Sequence, residues 1–255
     1  MLLILISCNR TNDKSSTKQQ SNEELKVEII REEIIENPVD NFRLTDKNII
    51  EFLYDFEKNN KENKVRIYTD FGQIDILLYN NTPYHRSNFI FLVKKKYFDG
   101  TQFYRVINNF VIQAGNSDNI SVSKKRKNIG KYLLPNDFNK GYSHKRGAIS
   151  LPSSSLDNPY KMASPFEFFI VQKKDGANHL DGKYTVFGEV IRGMDTVDKI
   201  ASIPTDEMDW PINNIHINRV EIIYYSYPIN GYLKSFGGTK TSLISLGETH
   251  LSKFR

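Results

Sequence analysis

The chain has 255 residues, of which 39% are hydrophobic and 12% aromatic, which excludes a wholly disordered protein and leaves ample length for a packed domain. The formal net charge of +5, with a pI near 9.0, is a modest excess spread along the chain and not the dense basic stripe of a nucleic-acid-binding surface. A single cysteine, Cys8, excludes intramolecular disulfides and cysteine-rich zinc sites.

Residues 1–8, MLLILISC, form a short apolar run ending in Leu5-Ile6-Ser7-Cys8. This resembles the lipobox at which bacterial lipoprotein signals are cleaved and the cysteine acylated. The expectation is a protein lipid-anchored through Cys8 in the bacterial cell envelope, on its periplasmic or surface face. Residues 9–44 read as a tether, polar and without period from Asn9 to Gln20. Within it, Leu25, Ile29, Ile30, Ile34 and Ile35 are spaced for a helix face that Pro38 ends. A further helix is expected over 45–62, capped by Thr45 or Asp46, with Ile49, Ile50, Leu53, Tyr54 and Phe56 apolar.

The main domain, 63–225, opens with Val65, Ile67 and Thr69 alternating with polar neighbours, an Asp70-Phe71-Gly72 turn, and Ile74, Ile76 and Leu78 in the same alternation: a hairpin. Thr82-Pro83 starts a helix whose last turn carries Lys94 to Lys96, where cations complement the partial negative charge of the carbonyl end. In Phe98–Asn116, FDGTQFYRVINNFVIQAGN, residues of high β-propensity flank Asn108-Asn109, which is good turn chemistry. With a three-residue loop centred on Asn109, Arg105 faces Gln113 across this hairpin. On composition alone Arg105 is a cation on the solvated face of an ordinary hairpin. Lys124-Lys125-Arg126-Lys127 reads as a solvated loop. Strands are expected at 148–151, 166–171, 186–190 and 220–225, with a helix after Gly193 carrying Val197 and Ile200. Many short strands with Gly-containing turns and two core helices suggest a closed antiparallel barrel. Residues 226–255 form a C-terminal extension in which Gly237-Gly238 could turn a small hairpin.

The segment from Phe98 to Asn116 resembles the signature of the cyclophilins, the cyclosporin-type peptidyl-prolyl isomerases, F-D-G-T-x-F-H-R-V-I-x-x-F-x-I-Q-G-G-D. Here the histidine is Tyr104, the first glycine of the final G-G-D is Ala114 and the aspartate is Asn116. His179–Ile200, HLDGKYTVFGEVIRGMDTVDKI, is similar to the family's W-L-D-G-x-x-x-V-F-G-x-V segment and the helix after it, and Val65–Phe98 to its opening hairpin and first helix. The resemblance implies a mainly β fold, a closed eight-stranded antiparallel barrel capped by two helices, here with an N-terminal helical extension.

It implies prolyl cis/trans isomerisation without metal or cofactor. Arg105 matches the catalytic arginine, and Gln113 the glutamine that contacts substrate backbone and helps hold the arginine. Phe110, Val111 (in place of the usual methionine), Phe169 and Leu180 match the proline pocket. His179 stands where many members have tryptophan and Tyr184 where many have histidine. Ser150-Leu151-Pro152-Ser153 replaces the family's S-M-A-N, so Ser153 takes the place of a substrate-contacting asparagine. Glu167 takes that of a glutamine in G-S-Q-F-F-I.

Other chemistries lack their residues. His85, His144, His179, His216 and His250 have no metal-ligand spacing, and no G-x-S-x-G elbow is present. The expected partners are proline-containing polypeptides and a membrane reached through the lipid anchor, with no nucleic acid, and the expected state is a monomer assisting the folding of envelope proteins. The alternative is a non-catalytic proline-peptide-binding or chaperone-like protein of the same fold. It explains the altered pocket rim but gives no reason to keep both Arg105 and Gln113.

Overall fold

The computed structural model describes residues 43–137, 139–153 and 158–224. The chain divides into two units, 1–44 and 45–255, and of the first only Arg43 and Leu44 are described. Cys8, the tether, the helix expected over 23–36 and the C-terminal extension lie outside the described residues.

Eight antiparallel strands close into a barrel. In chain order they are β1 (Lys64–Thr69), β2 (Gly72–Leu78), β3 (Gln102–Ile107), β4 (Val111–Asn116), β5 (Ala148–Ser150), β6 (Phe168–Val171), β7 (Val186–Arg192) and β8 (Ile215–Ile222). Around the barrel the order is β8-β1-β2-β7-β5-β6-β4-β3, and β3 pairs back onto β8. Closure leaves no unpaired sheet edge. The period-2 pattern dictates what faces inward: Val65 and Ile67 pair with Ile76 and Ile74, and all four are fully buried. Arg66 and Asp75 form an exception on the same pair of strands. Asp75 is buried, and its carboxylate is held bidentately by the Arg66 guanidinium at 2.6 and 2.8 Å.

Helix α1 (Ile49–Asn59) starts behind Asn48, not at Thr45 or Asp46. Thr45 and Asn48 form a closed turn, Asn48 N donating to Thr45 O at 3.1 Å and Thr45 N to Asn48 Oδ1 at 2.7 Å. The Asp46 carboxylate instead accepts from the Leu133 amide at 2.8 Å. Ile49 and Leu53 are buried, whereas Ile50 and Tyr54, expected on the apolar face, are exposed. Phe52 and Phe56 complete that face, one turn apart, and meet Phe91 at 4.9 and 5.7 Å.

Helix α2 (Pro83–Lys94) has Thr82 at its N-cap position and Pro83 at its start, as Thr82-Pro83 indicates. All nine residues from His85 to Val93 are buried, because the helix lies between α1 and the barrel. Phe89 enters an aromatic core with Phe98, Phe168 and Phe187, at ring separations of 4.8, 5.6 and 5.8 Å. The fully buried Arg86 donates from Nη2 to Glu57 of α1 at 2.5 Å and from Nη1 to the Asn60 and Glu62 carbonyls at 3.3 Å.

The run Lys124-Lys125-Arg126-Lys127 lies on helix α3 (Ile120–Ile129) and not in a loop. Asn119 caps it, accepting from Ser121 N at 2.8 Å, and Val122 is its buried anchor. One apolar anchor is too little for a helical period to show in the sequence. Helix α4 (Met194–Ala201) follows Gly193 and buries Val197 and Ile200 against β2, β3 and β4. Strand β8 begins at Ile215, five residues before the expected Val220. A bulge between Ile217 and Arg219 shifts the alternation and hides its first half.

Candidate active site

The site is built on the β3–β4 hairpin. Its loop has three residues, Asn108 to Phe110, with Asn109 left-handed (φ 56) and Phe110 N donating to Ile107 O at 3.1 Å. That loop length sets Arg105 opposite Gln113 in the ladder. On the far side of β4, Gln113 pairs with Phe169 of β6, and Phe169 pairs with Ser150 of β5. Arg105, Gln113 and Phe169 thus form one row across three strands. A register shift between Phe103 and Arg105 re-aims Tyr104. Close packing on the next layer needs Gly115 (φ +102), where a Cβ would stand 2.3 Å from Phe166 O.

The row opens on a cavity of about 110 Å³ lined by Arg105, Phe110, Val111, Gln113, Pro152, Phe169, Leu180 and Tyr184. Val111 and Phe169 are buried and form its apolar floor, while Phe110, Leu180 and Tyr184 are partly buried walls. Tyr184 meets Phe169 edge-on at 5.9 Å. Leu180 is delivered by a 3-10 turn, Asn178–Leu180, absent from the sequence expectations. Behind Phe169 lies the buried His144 ring, stacked on it at 5.9 Å. The His144 Nδ1 and backbone N both contact Asp181 Oδ1, at 2.6 and 2.8 Å, which ties the floor to the turn carrying Leu180. Burial lowers the His144 pKa and outweighs the opposing pull of Asp181, so the neutral ring donates from Nδ1.

Two residues named from the sequence stand elsewhere. His179 is exposed, stacks on Phe110 at 5.4 Å and does not line the cavity. Ser153 does not line the cavity. It bridges to Ala163 and accepts from Asn158 Nδ2 at 3.0 Å, and Pro152 lines the rim in its place. Proline there presents a ring and no N–H.

Polar groups around Arg105 were not legible from spacing. Asp209, left-handed (φ 64) in the loop between α4 and β8, places Oδ2 3.2 Å from Arg105 Nη2, and its carbonyl accepts from Val106 N at 2.8 Å. Asp206 braces that loop by accepting from Met208 N and Trp210 N, each at 2.9 Å. Trp210 packs against Tyr104 at 5.9 Å. On the other side, the Tyr104 hydroxyl donates to Glu167 Oε2 at 2.9 Å and accepts from Gln113 Nε2. Burial and the Glu167 carboxylate push the Tyr104 hydroxyl well above the usual tyrosine range, so it stays protonated. The arrangement offers a half-exposed, permanently charged fork beside a compact apolar slot, with the Gln113 amide in the same row.

A family model described as cyclophilin type peptidyl-prolyl cis-trans isomerase/CLD matches residues 64–222. The chain is 34% identical over 174 residues to peptidyl-prolyl cis-trans isomerase-like 2 of Rhizopus delemar, covering 68% of this chain and 31% of that protein. It is 36% identical over 143 residues to a peptidyl-prolyl cis-trans isomerase of Acinetobacter baylyi, covering 55% and 73%. In structure it is similar to a Cryptosporidium parvum cyclophilin type peptidyl-prolyl cis-trans isomerase crystallised in the presence of the dipeptide Ala-Pro. That match has a TM-score of 0.53 at 27% identity and covers 64% of this chain and 99% of the other.

Proposed function

The chain belongs to the cyclophilin-type peptidyl-prolyl cis-trans isomerase family, and from that premise we propose that it isomerises Xaa–Pro bonds in the cavity beside Arg105. The barrier to be lowered is the partial double bond of the amide, ~18–20 kcal/mol. At the twisted midpoint the prolyl nitrogen regains a lone pair, and conjugation with the carbonyl is broken. Val111 and Phe169 hold the pyrrolidine ring in the slot, and the Arg105 guanidinium donates to the nitrogen once its lone pair is freed. That bond is available only in the twisted state, so it stabilises the transition state over both ground states. Gln113, opposite Arg105, binds the client's backbone.

The observation that carries this reading is the placement of the guanidinium and the apolar floor in one row of one cavity. Crystallisation of the Cryptosporidium isomerase in the presence of Ala-Pro supports proline-containing peptides as the substrate class. The test is a proline-tetrapeptide isomerisation assay on the full-length protein alongside Arg105→Ala. Loss on the order of a hundredfold or more is expected, with the thermal midpoint nearly unchanged. A folded variant that isomerises at the parental rate favours the second reading, a non-catalytic proline-peptide binder. The rim supports that second reading: Pro152 offers no amide donor, and Ser153 lies off the cavity.

The Leu5-Ile6-Ser7-Cys8 motif supports an envelope-anchored protein that assists folding there, with Cys8 acylated. One acyl chain gives only marginal membrane binding, so stable anchoring takes more than one. Cys8→Ser should move native protein from the membrane to the soluble fraction. Unchanged partition refutes acylation at this cysteine.

A further inference from the structure

Four side chains beside the cavity form a continuous polar chain that prolyl isomerisation does not by itself require. Arg126 of α3 stands 3.5 Å from Glu167 Oε1, Glu167 Oε2 accepts from the Tyr104 hydroxyl at 2.9 Å, and the Tyr104 oxygen meets Gln113 Nε2. The direction of every bond is forced. A carboxylate carries no hydrogen, so Tyr104 must donate to Glu167. The hydroxyl has only one hydrogen, already committed, so toward Gln113 it can only accept. The Gln113 amide therefore turns its nitrogen, and not its oxygen, toward Tyr104. Arg126 keeps the charge on Glu167 compensated in a place where that side chain is only 17% exposed, and its guanidinium also lies 4.8 Å over the Phe166 ring.

Two of these residues are departures from the signature strings: Tyr104 stands at a histidine position and Glu167 at a glutamine position. A histidine–glutamine couple can be hydrogen-bonded in either direction, since imidazole tautomers and amide rotamers both reverse. A tyrosine–glutamate couple has one direction only.

We propose that Arg126, Glu167 and Tyr104 are a positioning relay that locks the polarity of the Gln113 amide, and so fixes how the groove hydrogen-bonds the peptide backbone of its client. The relay leaves the Gln113 carbonyl oxygen and second amide hydrogen for that backbone. It also links the basic run on α3 to the groove, through the contact of Arg126 with Glu167. The inference rests on the prolyl-peptide reading of the cavity.

The test uses the full-length protein with Tyr104→Phe, Glu167→Ala and the double variant, a proline tetrapeptide as substrate, and the side-chain amide signals of Gln113 by NMR. Each single variant should raise KM about three- to tenfold, the worth of one hydrogen bond, with kcat within about twofold. The double variant should match the worse single variant within about twofold, because both break one chain. The Gln113 amide signals should move in both singles. Parental KM with unmoved Gln113 signals, or KM effects that multiply in the double variant, overturns the relay. Should Tyr104→Phe not fold, Glu167→Ala carries the same two readouts. If the parent protein does not isomerise the peptide, the reading of the cavity fails. The Gln113 signals in Glu167→Ala then still decide for or against the relay.

Discussion

At the scale of single residues, the site centres on a guanidinium that is neither free nor buried. Arg105 is 41% exposed and paired with Asp209, itself 37% exposed, a geometry in which ion pairs contribute roughly 0–1 kcal/mol to stability. Its loss should therefore spare the fold. Lysine in its place should not restore the rate, because a point charge cannot reproduce the planar fork. Asp209 holds one arm of that fork. Asp209→Asn keeps the shape and weakens the grip, so peptide isomerisation should fall by about two- to fivefold with little change in thermal midpoint. A rate equal to the parent's would show that the hairpin alone orients Arg105.

Among elements, the contact between α1 and α2 has the highest stakes. Arg86 is 1% exposed, and its only carboxylate partner among the described residues is Glu57. Removing that carboxylate leaves a guanidinium buried with two backbone carbonyls and no counter-charge. Glu57→Ala should destabilise the protein by about 1–3 kcal/mol, read as a lower urea midpoint with the m-value unchanged. A shift within error would mean that the Asn60 and Glu62 carbonyls suffice. The β3–β4 hairpin is robust by comparison, since its register follows from loop length and from Asn109, a residue type that tolerates the left-handed turn.

For the whole molecule, stability should depend on pH through its interior histidines. His85 is fully buried on α2 against Phe187 at 5.8 Å, and burial lowers its pKa to about 3. An unfolded histidine titrates near 6.5, so between these values the unfolded chain binds the extra proton. Stability is then complete above about pH 6.5 and declines as pH falls toward 3, by at most about 1.4 kcal/mol per pH unit from this group. His144, also shifted downward by burial, acts in the same direction. Urea midpoints measured at pH 7 and pH 5 should differ, and His85→Leu should reduce the difference. An identical pH dependence in that variant would remove His85 as its source.

The local grammar of this protein is legible in its residues alone: the alternation in 64–78, the Thr82-Pro83 helix start, and the Asn108–Phe110 loop that sets Arg105 opposite Gln113. These follow from period, turn chemistry and loop length, all of which act over a few residues. The many short strands pointed to a closed barrel, and the family strings added its eight strands and the residues that line its cavity, apart from Pro152. Long-range packing was needed to show that Pro152 replaces Ser153 at the rim, that His179 stacks on Phe110 without lining the cavity, and that the 124–127 run is helical. It alone brought Asp209 to Arg105 across 104 positions, and Glu167 to Tyr104 across 63. Neither pairing has a period or a fixed spacing to reveal it. Each depends on where barrel closure sets chain segments that are distant in sequence side by side.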